Sequence, residues 1–328
     1  MTFVIAGYLC ALESSAGMSK CPVMALLSHR QGWSLAVLLT VFPLVCASDN
    51  TNDSPPSTFY TCASEVRVSF FATDENNHPV SEIGKDDFAV VDNDEVIRNF
   101  RSLARSNETS LDVVILLDAS GSMKSRFQQT MRDAASLVSS AELADAHITV
   151  IRFAGLAPDV LCSGDCRTTA AQEKLLASEP SGATPLYDAL EYTAALISRR
   201  QAPEARRLLL LYSDGDDTVS KTAPRDALDS VVASGALLYA ININRSENSS
   251  GDAVLEQLAR ATGGRAFSIN NGSVPILQSI LQDLRASYIV SYQLPSHRAG
   301  FHSLRILPKH NLNLRFHCRR GYFYGEKD

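Results

Sequence analysis

Two unbroken apolar runs mark the middle of the chain, Val113-Val-Ile-Leu-Leu117 and Leu208-Leu-Leu-Leu-Tyr212. Each is short and ends in polar turn residues, the pattern of a strand buried on both faces. They predict strands over Asp112–Asp118 and Arg207–Ser213, with further strands at His147–Phe153, Ala236–Asn242 and Arg265–Ile269. Helices are predicted near Ser125–Ser140, Pro185–Arg199, Pro224–Ala233, Gly251–Ala261 and Val274–Ala286. Alternation of strand and helix argues for an α/β fold, a doubly wound and mostly parallel sheet with helices on both faces.

The flanks follow a different rhythm. Ser64–Thr73 alternates apolar and polar positions, Asp74–Pro79 reads as a turn, and Asp87–Asp92 with Glu95–Phe100 reads as a hairpin around Asn93-Asp94. So small a unit cannot bury much core alone. Ser287–Gln293, His302–Leu307 and Leu312–His317 are also strand-like. The expectation is one small β-sandwich built from residues 59–108 and 287–325, with the α/β domain, 109–286, inserted between its halves. Residues 48–58 are polar, contain Pro55-Pro56, and read as a linker.

The first 47 residues read as a signal segment. Trp33–Val45 is an apolar run preceded by His29 and Arg30 and followed by Cys46-Ala47. It is short for a membrane span and fits cleavage after Ala47. The stretch before it is long for a signal peptide; a start at Met24 or Met18 would give an ordinary one. An uncleaved membrane anchor is the alternative, and a lipid anchor at Cys46 fits poorly behind the bulky Val45. Export, to the outside or to a periplasmic or cell-envelope location, is expected either way.

Cysteine usage agrees. Beyond the signal segment stand Cys62, Cys162, Cys166 and Cys318. Cys162-Ser-Gly-Asp-Cys166 can close on itself, leaving Cys62 and Cys318 to tie the flanks together. Free thiols in a reducing compartment are the alternative. Zinc suits the sequence less, because Cys162 and Cys166 have no nearby histidine and His302, His310 and His317 read as strand residues. The sequons at Asn52, Asn107, Asn248 and Asn271 matter only in a eukaryotic secretory pathway.

Chemistry gathers at strand ends. The first apolar run closes in Asp118-Ala-Ser120-Gly-Ser122, and the second in Ser213-Asp214-Gly-Asp216-Asp217. Between them lies Ser181-Gly-Ala-Thr184-Pro185, where Thr184 reads as a helix N-cap with Pro185 at the first helical position. Ligands of open α/β sheets bind outside the carboxyl ends of the strands. Carboxylates and hydroxyls without His or Cys are hard donors, suited to Mg²⁺ and also to Ca²⁺ or Mn²⁺. Against this stand ordinary roles: Ser120 and Ser122 as caps of the next helix, and Asp214 as a turn residue. Asp216 and Asp217 read as solvated loop carboxylates, with support of the ligands from behind as the alternative. Asp188 is expected to face solvent or its own helix.

Asp118, Ser120, Ser122, Thr184 and Asp214 resemble, position for position, the metal-ion-dependent adhesion site of von Willebrand factor type A (VWA) domains. The wider text, including Ala261-Thr-Gly-Gly-Arg-Ala-Phe267, resembles secreted bacterial VWFA-related domain proteins over roughly Leu111 to Ala286. The resemblance implies coordination rather than bond breaking. Ser120, Ser122 and Thr184 would bind the cation directly, Asp118 and Asp214 directly or through water, and an acidic side chain of a protein or peptide partner would fill the open position.

A metal-assisted hydrolase is the competing class, and it would need a general base or activated nucleophile beside the metal. No histidine lies in the segments above, so a non-enzymatic module is expected. A metal-free structural scaffold is the remaining alternative, and the intact ligand set argues against it. The net charge of −6, with no basic run and no phosphate-cradling glycine loop, argues against nucleic acid as a partner. Arg199-Arg200, Arg206-Arg207 and Arg319-Arg320 read as solvated faces or domain contacts. Membrane contact is expected only through an uncleaved N-terminal anchor.

Overall fold

Alternating burial builds the first strands. β1 (Glu65–Thr73), β2 (Pro79–Val80), β3 (Phe88–Asp92), β4 (Glu95–Ile97) and β5 (Phe100–Arg105) lead into β6 (Leu111–Asp118). Then follow α1 (Phe127–Val138), β7 (His147–Ala154), β8 (Ala157–Ser163), α2 (Thr169–Leu176), α3 (Leu186–Ser198) and β9 (Arg206–Ser213). α4 (Pro224–Ala233), β10 (Leu237–Asn242), α5 (Ser250–Thr262), β11 (Ala266–Ser268) and α6 (Ser273–Arg285) come next. β12 (Tyr288–Gln293), β13 (Gly300–Pro308), β14 (Arg315–Cys318) and β15 (Gly321–Tyr324) close the chain. The structure, a computed structural model, describes residues 65–106, 110–200, 205–243, 250–269 and 272–325. The expected signal segment, the linker, Cys62 and the sequon asparagines Asn52, Asn107, Asn248 and Asn271 lie outside the described residues. Among the described residues no helix is long and apolar enough to cross a membrane.

The central sheet has six strands in the order β11-β10-β9-β6-β7-β8, all parallel except β8, which runs antiparallel to β7 at the edge. β6 shows why its middle, Val113–Leu117, is unbroken apolar sequence. Val113, Ile115 and Leu117 face a core shared with Phe127 and Met131 of α1 and Ile280 of α6. Val114 and Leu116 face a second core with Leu186 and Leu190 of α3 and Leu255 of α5. A period-2 strand with a helix layer on each side leaves no position for a polar side chain.

Strands from both flanks pair with one another. β12 lies between β1 and β5, while β13 pairs with β3 and β15, all antiparallel. The two sheets share one apolar core in which Phe70 of β1 meets Phe88 of β3 with ring centroids 4.9 Å apart. His302 and His317 lie on strands as expected, whereas His310 falls in the bend after β13.

Arg206 and the Arg319-Arg320 pair act where the flanking sheets meet the central domain, whereas Arg200 pairs with Asp112 inside the central domain. Half-buried Arg206 donates to the carbonyls of Ser106 and Leu284 and to the Ser287 hydroxyl, gripping both crossings of the chain. Arg320 of the β14–β15 turn pairs with Asp229 of α4, and Arg319 donates to the Arg67 carbonyl of β1.

Cys162 and Cys166 form a disulfide that joins the end of β8 to the approach to α2. Cys318 is half-buried and pairs with no described cysteine; desolvation pushes its thiol up to about 12. The proposed Cys62–Cys318 link therefore awaits a cysteine outside the described residues. Closing the short Cys162–Cys166 loop removes about 2 kcal/mol of unfolded-state entropy. The Cys162→Ala/Cys166→Ala double variant is expected to lose about that much stability, read as a lowered urea midpoint at unchanged slope.

Candidate metal centre

β6 ends at the middle of the sheet, between β9 and β7, so its last residue stands at the carboxyl edge, outside which ligands of open α/β sheets bind. Asp118 is that residue, and it is fully buried. Its carboxylate accepts the backbone N–H of Ser120 at 2.9 Å and the hydroxyl of Ser213 at 2.8 Å. Burial raises its pKa to about 6, the nearby Asp214 charge adds to that, and the Ser120 and Ser213 hydrogen bonds oppose it.

The serines turn inward rather than capping. Ser120 precedes a short 3₁₀ turn, Gly121–Ser125, and makes no side-chain cap bond to it. The Ser120 and Ser122 hydroxyls stand 3.1 Å apart, and Ser122 donates to Asp214 Oδ2 at 2.8 Å. Asp118, Ser120, Ser122 and Asp214 are thus one hydrogen-bonded cluster drawn from the ends of β6 and β9.

Thr184 arrives on the loop before α3, and backbone bonds lace that loop to the cluster. Ser181 N–H donates to the Ala119 carbonyl at 2.8 Å, and Gly121 N–H to the Gly182 carbonyl at 2.9 Å. Thr184 does not cap α3 as the sequence suggested. Pro185 occupies the N-cap position, and the bond to the Leu186 N–H comes from Asp217 across the loop at 2.9 Å. Ser220 accepts the next two amides, those of Tyr187 and Asp188. The cap comes from a distant loop, so the Thr184 hydroxyl makes no hydrogen bond among the described residues. Its backbone is fixed by Thr218, whose hydroxyl accepts the Thr184 N–H at 2.8 Å.

Other loop carboxylates also have structural partners. Asp188, expected to face solvent or its own helix, accepts the N–H groups of Lys221 and Thr222, which holds its carboxyl below the usual range despite some burial. Asp216 donates its N–H to Asp214 Oδ1 at 3.2 Å. Behind Asp214 the chain is pressed against the first turn of α5. A Cβ on Gly251 would stand 1.9 Å from the Asp214 carbonyl, and Gly215 adopts φ +83°. Ser213, Asp217, Thr218, Ser220 and Gly251 therefore position the cluster; Asp217 holds the loop rather than standing in solvent, and the other four escape sequence reading because their partners lie on other elements.

In chemistry the set is two carboxylates and three hydroxyls, hard donors that fit Mg²⁺, Ca²⁺ or Mn²⁺ better than zinc. The buried, mutually repelling Asp118 and Asp214 gain most from a cation placed between them.

Comparison with known proteins gives the same region. Residues 112–283 match the family model of the von Willebrand factor type A domain. No curated protein matched significantly. Among solved structures, an aerotolerance-related membrane protein from Bacteroides fragilis, crystallised with multiple mutations to serines, is similar at 19% identity with a TM-score of 0.43, covering 53% of this chain and 98% of that one. The conserved hypothetical protein BatB from Bacteroides thetaiotaomicron is similar at 17% identity and a TM-score of 0.43, with the same coverages. Proximal thread matrix protein 1 from the mussel byssus reaches 18% identity and 0.43, covering 56% of this chain and 49% of its own.

Proposed function

This chain belongs to the von Willebrand factor type A domain family, and on that premise we propose that it is an extracytoplasmic, metal-ion-dependent binding module. Domains of this family are typically protein-interaction or adhesion modules and generally not enzymes. Asp118, Ser120, Ser122, Thr184 and Asp214 would hold the cation, Mg²⁺ in the first instance. When bound, it supplies the positive charge that an acidic side chain of a protein or peptide partner neutralises. Ser213 and the Ser120 N–H hold the Asp118 carboxylate in place, and Asp217 and Thr218 free and fix Thr184. The extracytoplasmic setting rests on the apolar run at Trp33–Val45.

One observation carries this reading. Four donors from two strand ends form a continuous hydrogen-bonded chain, while the fifth, Thr184, keeps a hydroxyl unengaged among the described residues, on a loop bonded to that chain. Calorimetric titration with Mg²⁺, Ca²⁺ and Mn²⁺ tests it. Wild type is expected to show saturable binding at one site, and Asp118→Ala none. Equal binding by the two proteins refutes the assignment.

A further inference from the structure

Three adjacent strand ends meet at the cluster in the order β9, β6, β7, with Asp118 closing the central one. On one side stands the tip of the β7–β8 hairpin, Gly155-Leu156. On the other, the loop after β9 carries Val219. Both are bonded to the segment that holds Thr184. Gly155 N–H donates to the Ala183 carbonyl at 2.8 Å, and Thr218 N–H donates to the Thr184 carbonyl at 2.9 Å. Leu156 is 99% exposed and Val219 46% exposed. Tight hairpin tips favour Asn, Asp and Gly. A leucine there that buries nothing breaks the local rule without a return to the fold, which is the mark of a functional position.

We infer that Leu156 and Val219 are apolar flanks of the binding site and select a linear peptide whose acidic residue has apolar neighbours within two residues on each side. This rests on the metal-site reading above. Adjacent strands lie about 4.8 Å apart, so β7 and β9 stand roughly 10 Å apart across Asp118. An extended peptide rises about 3.3 Å per residue. Side chains alternate along such a peptide, so with the carboxylate at the centre those two residues away, about 6.6 Å on either side, share its face and pass over the two flanks. Both flanks are pinned by backbone bonds, so little ordering cost falls on binding. Covering a leucine or valine corresponds to about tenfold in affinity or more.

The test is a display library of nonapeptides with a fixed central glutamate, selected on the full chain in millimolar MgCl₂. Mg²⁺ calorimetry of wild type, Leu156→Ser and Val219→Ser runs beside it. The expected result is enrichment of Leu, Ile, Val, Phe or Met on both sides of the glutamate. The best peptide is expected to lose about tenfold in affinity on each variant, while Mg²⁺ uptake is unchanged. Polar flanks in the selected peptides, no enrichment on a chain that takes up Mg²⁺, or unchanged affinity in both variants overturns this inference and leaves the metal site standing. Absence of Mg²⁺ uptake by wild type, or peptide binding that persists in EDTA, overturns the metal-site reading and this inference with it.

Discussion

Gly264→Ala is expected to cost about 3 kcal/mol of stability or more, the upper end for overpacking substitutions. The added Cβ would lie 2.0 Å from the carbonyl oxygen of Leu238 and 2.8 Å from its carbonyl carbon. The obstacle is the backbone of β10, in the middle of a ladder, so no side chain can rotate away. Relief would require parting β11 from β10, where Ala240 pairs with Ala266, and breaking the bond from the Ala240 N–H to the Arg265 carbonyl. The Leu238 N–H, which donates to the Thr262 hydroxyl, would move as well. Gly235→Ala is the control. Gly235 sits at φ +71° with open space around the added atom, so only left-handed strain remains, about 1–2 kcal/mol. Urea unfolding of both variants separates the effects, and equal losses would show that backbone conformation, not steric approach, explains Gly264.

That turn shows what the sequence did and did not disclose. Ala261-Thr-Gly-Gly-Arg-Ala-Phe267 stood out as text, but its physical cause needs three elements at once. Gly263 adopts φ +89° and meets the Cys318 backbone of β14, while Gly264 meets β10. Elements buried on both faces were legible, because β6 and β9 have no solvent side on which a polar residue could blur the pattern. β8 was missed: it is an edge strand with mixed burial and Pro158 near its start. α2 was missed as well, being short and burying only Ala171 and Leu175. At the candidate metal centre, each expected ligand lay at a strand end or loop visible in one segment of text. The Asp217 cap on α3 and the Ser213 bond to Asp118 were not, since they depend on which loops lie side by side.

The last expected result concerns Asp118→Asn, whose stability relative to wild type should depend on the cation. In EDTA, wild type holds a buried Asp118 carboxylate, desolvated and near the charge of Asp214. An amide of the same shape removes that repulsion and still accepts the Ser120 N–H, while its own NH₂ can donate to the Ser213 hydroxyl in place of the bond accepted by Asp118. The variant is therefore expected to melt no lower than wild type without metal. Adding Mg²⁺ to a hundredfold excess over its dissociation constant stabilises a one-site protein by about 2.7 kcal/mol. Wild type should gain that increment and the variant none, so the order of their melting temperatures reverses between EDTA and MgCl₂. The reversal separates a ligand role from a structural one. If Asp118 served only to hold Ser120 and Ser213, asparagine would shift both conditions alike, and equal Mg²⁺-induced shifts in the two proteins would remove Asp118 from the site.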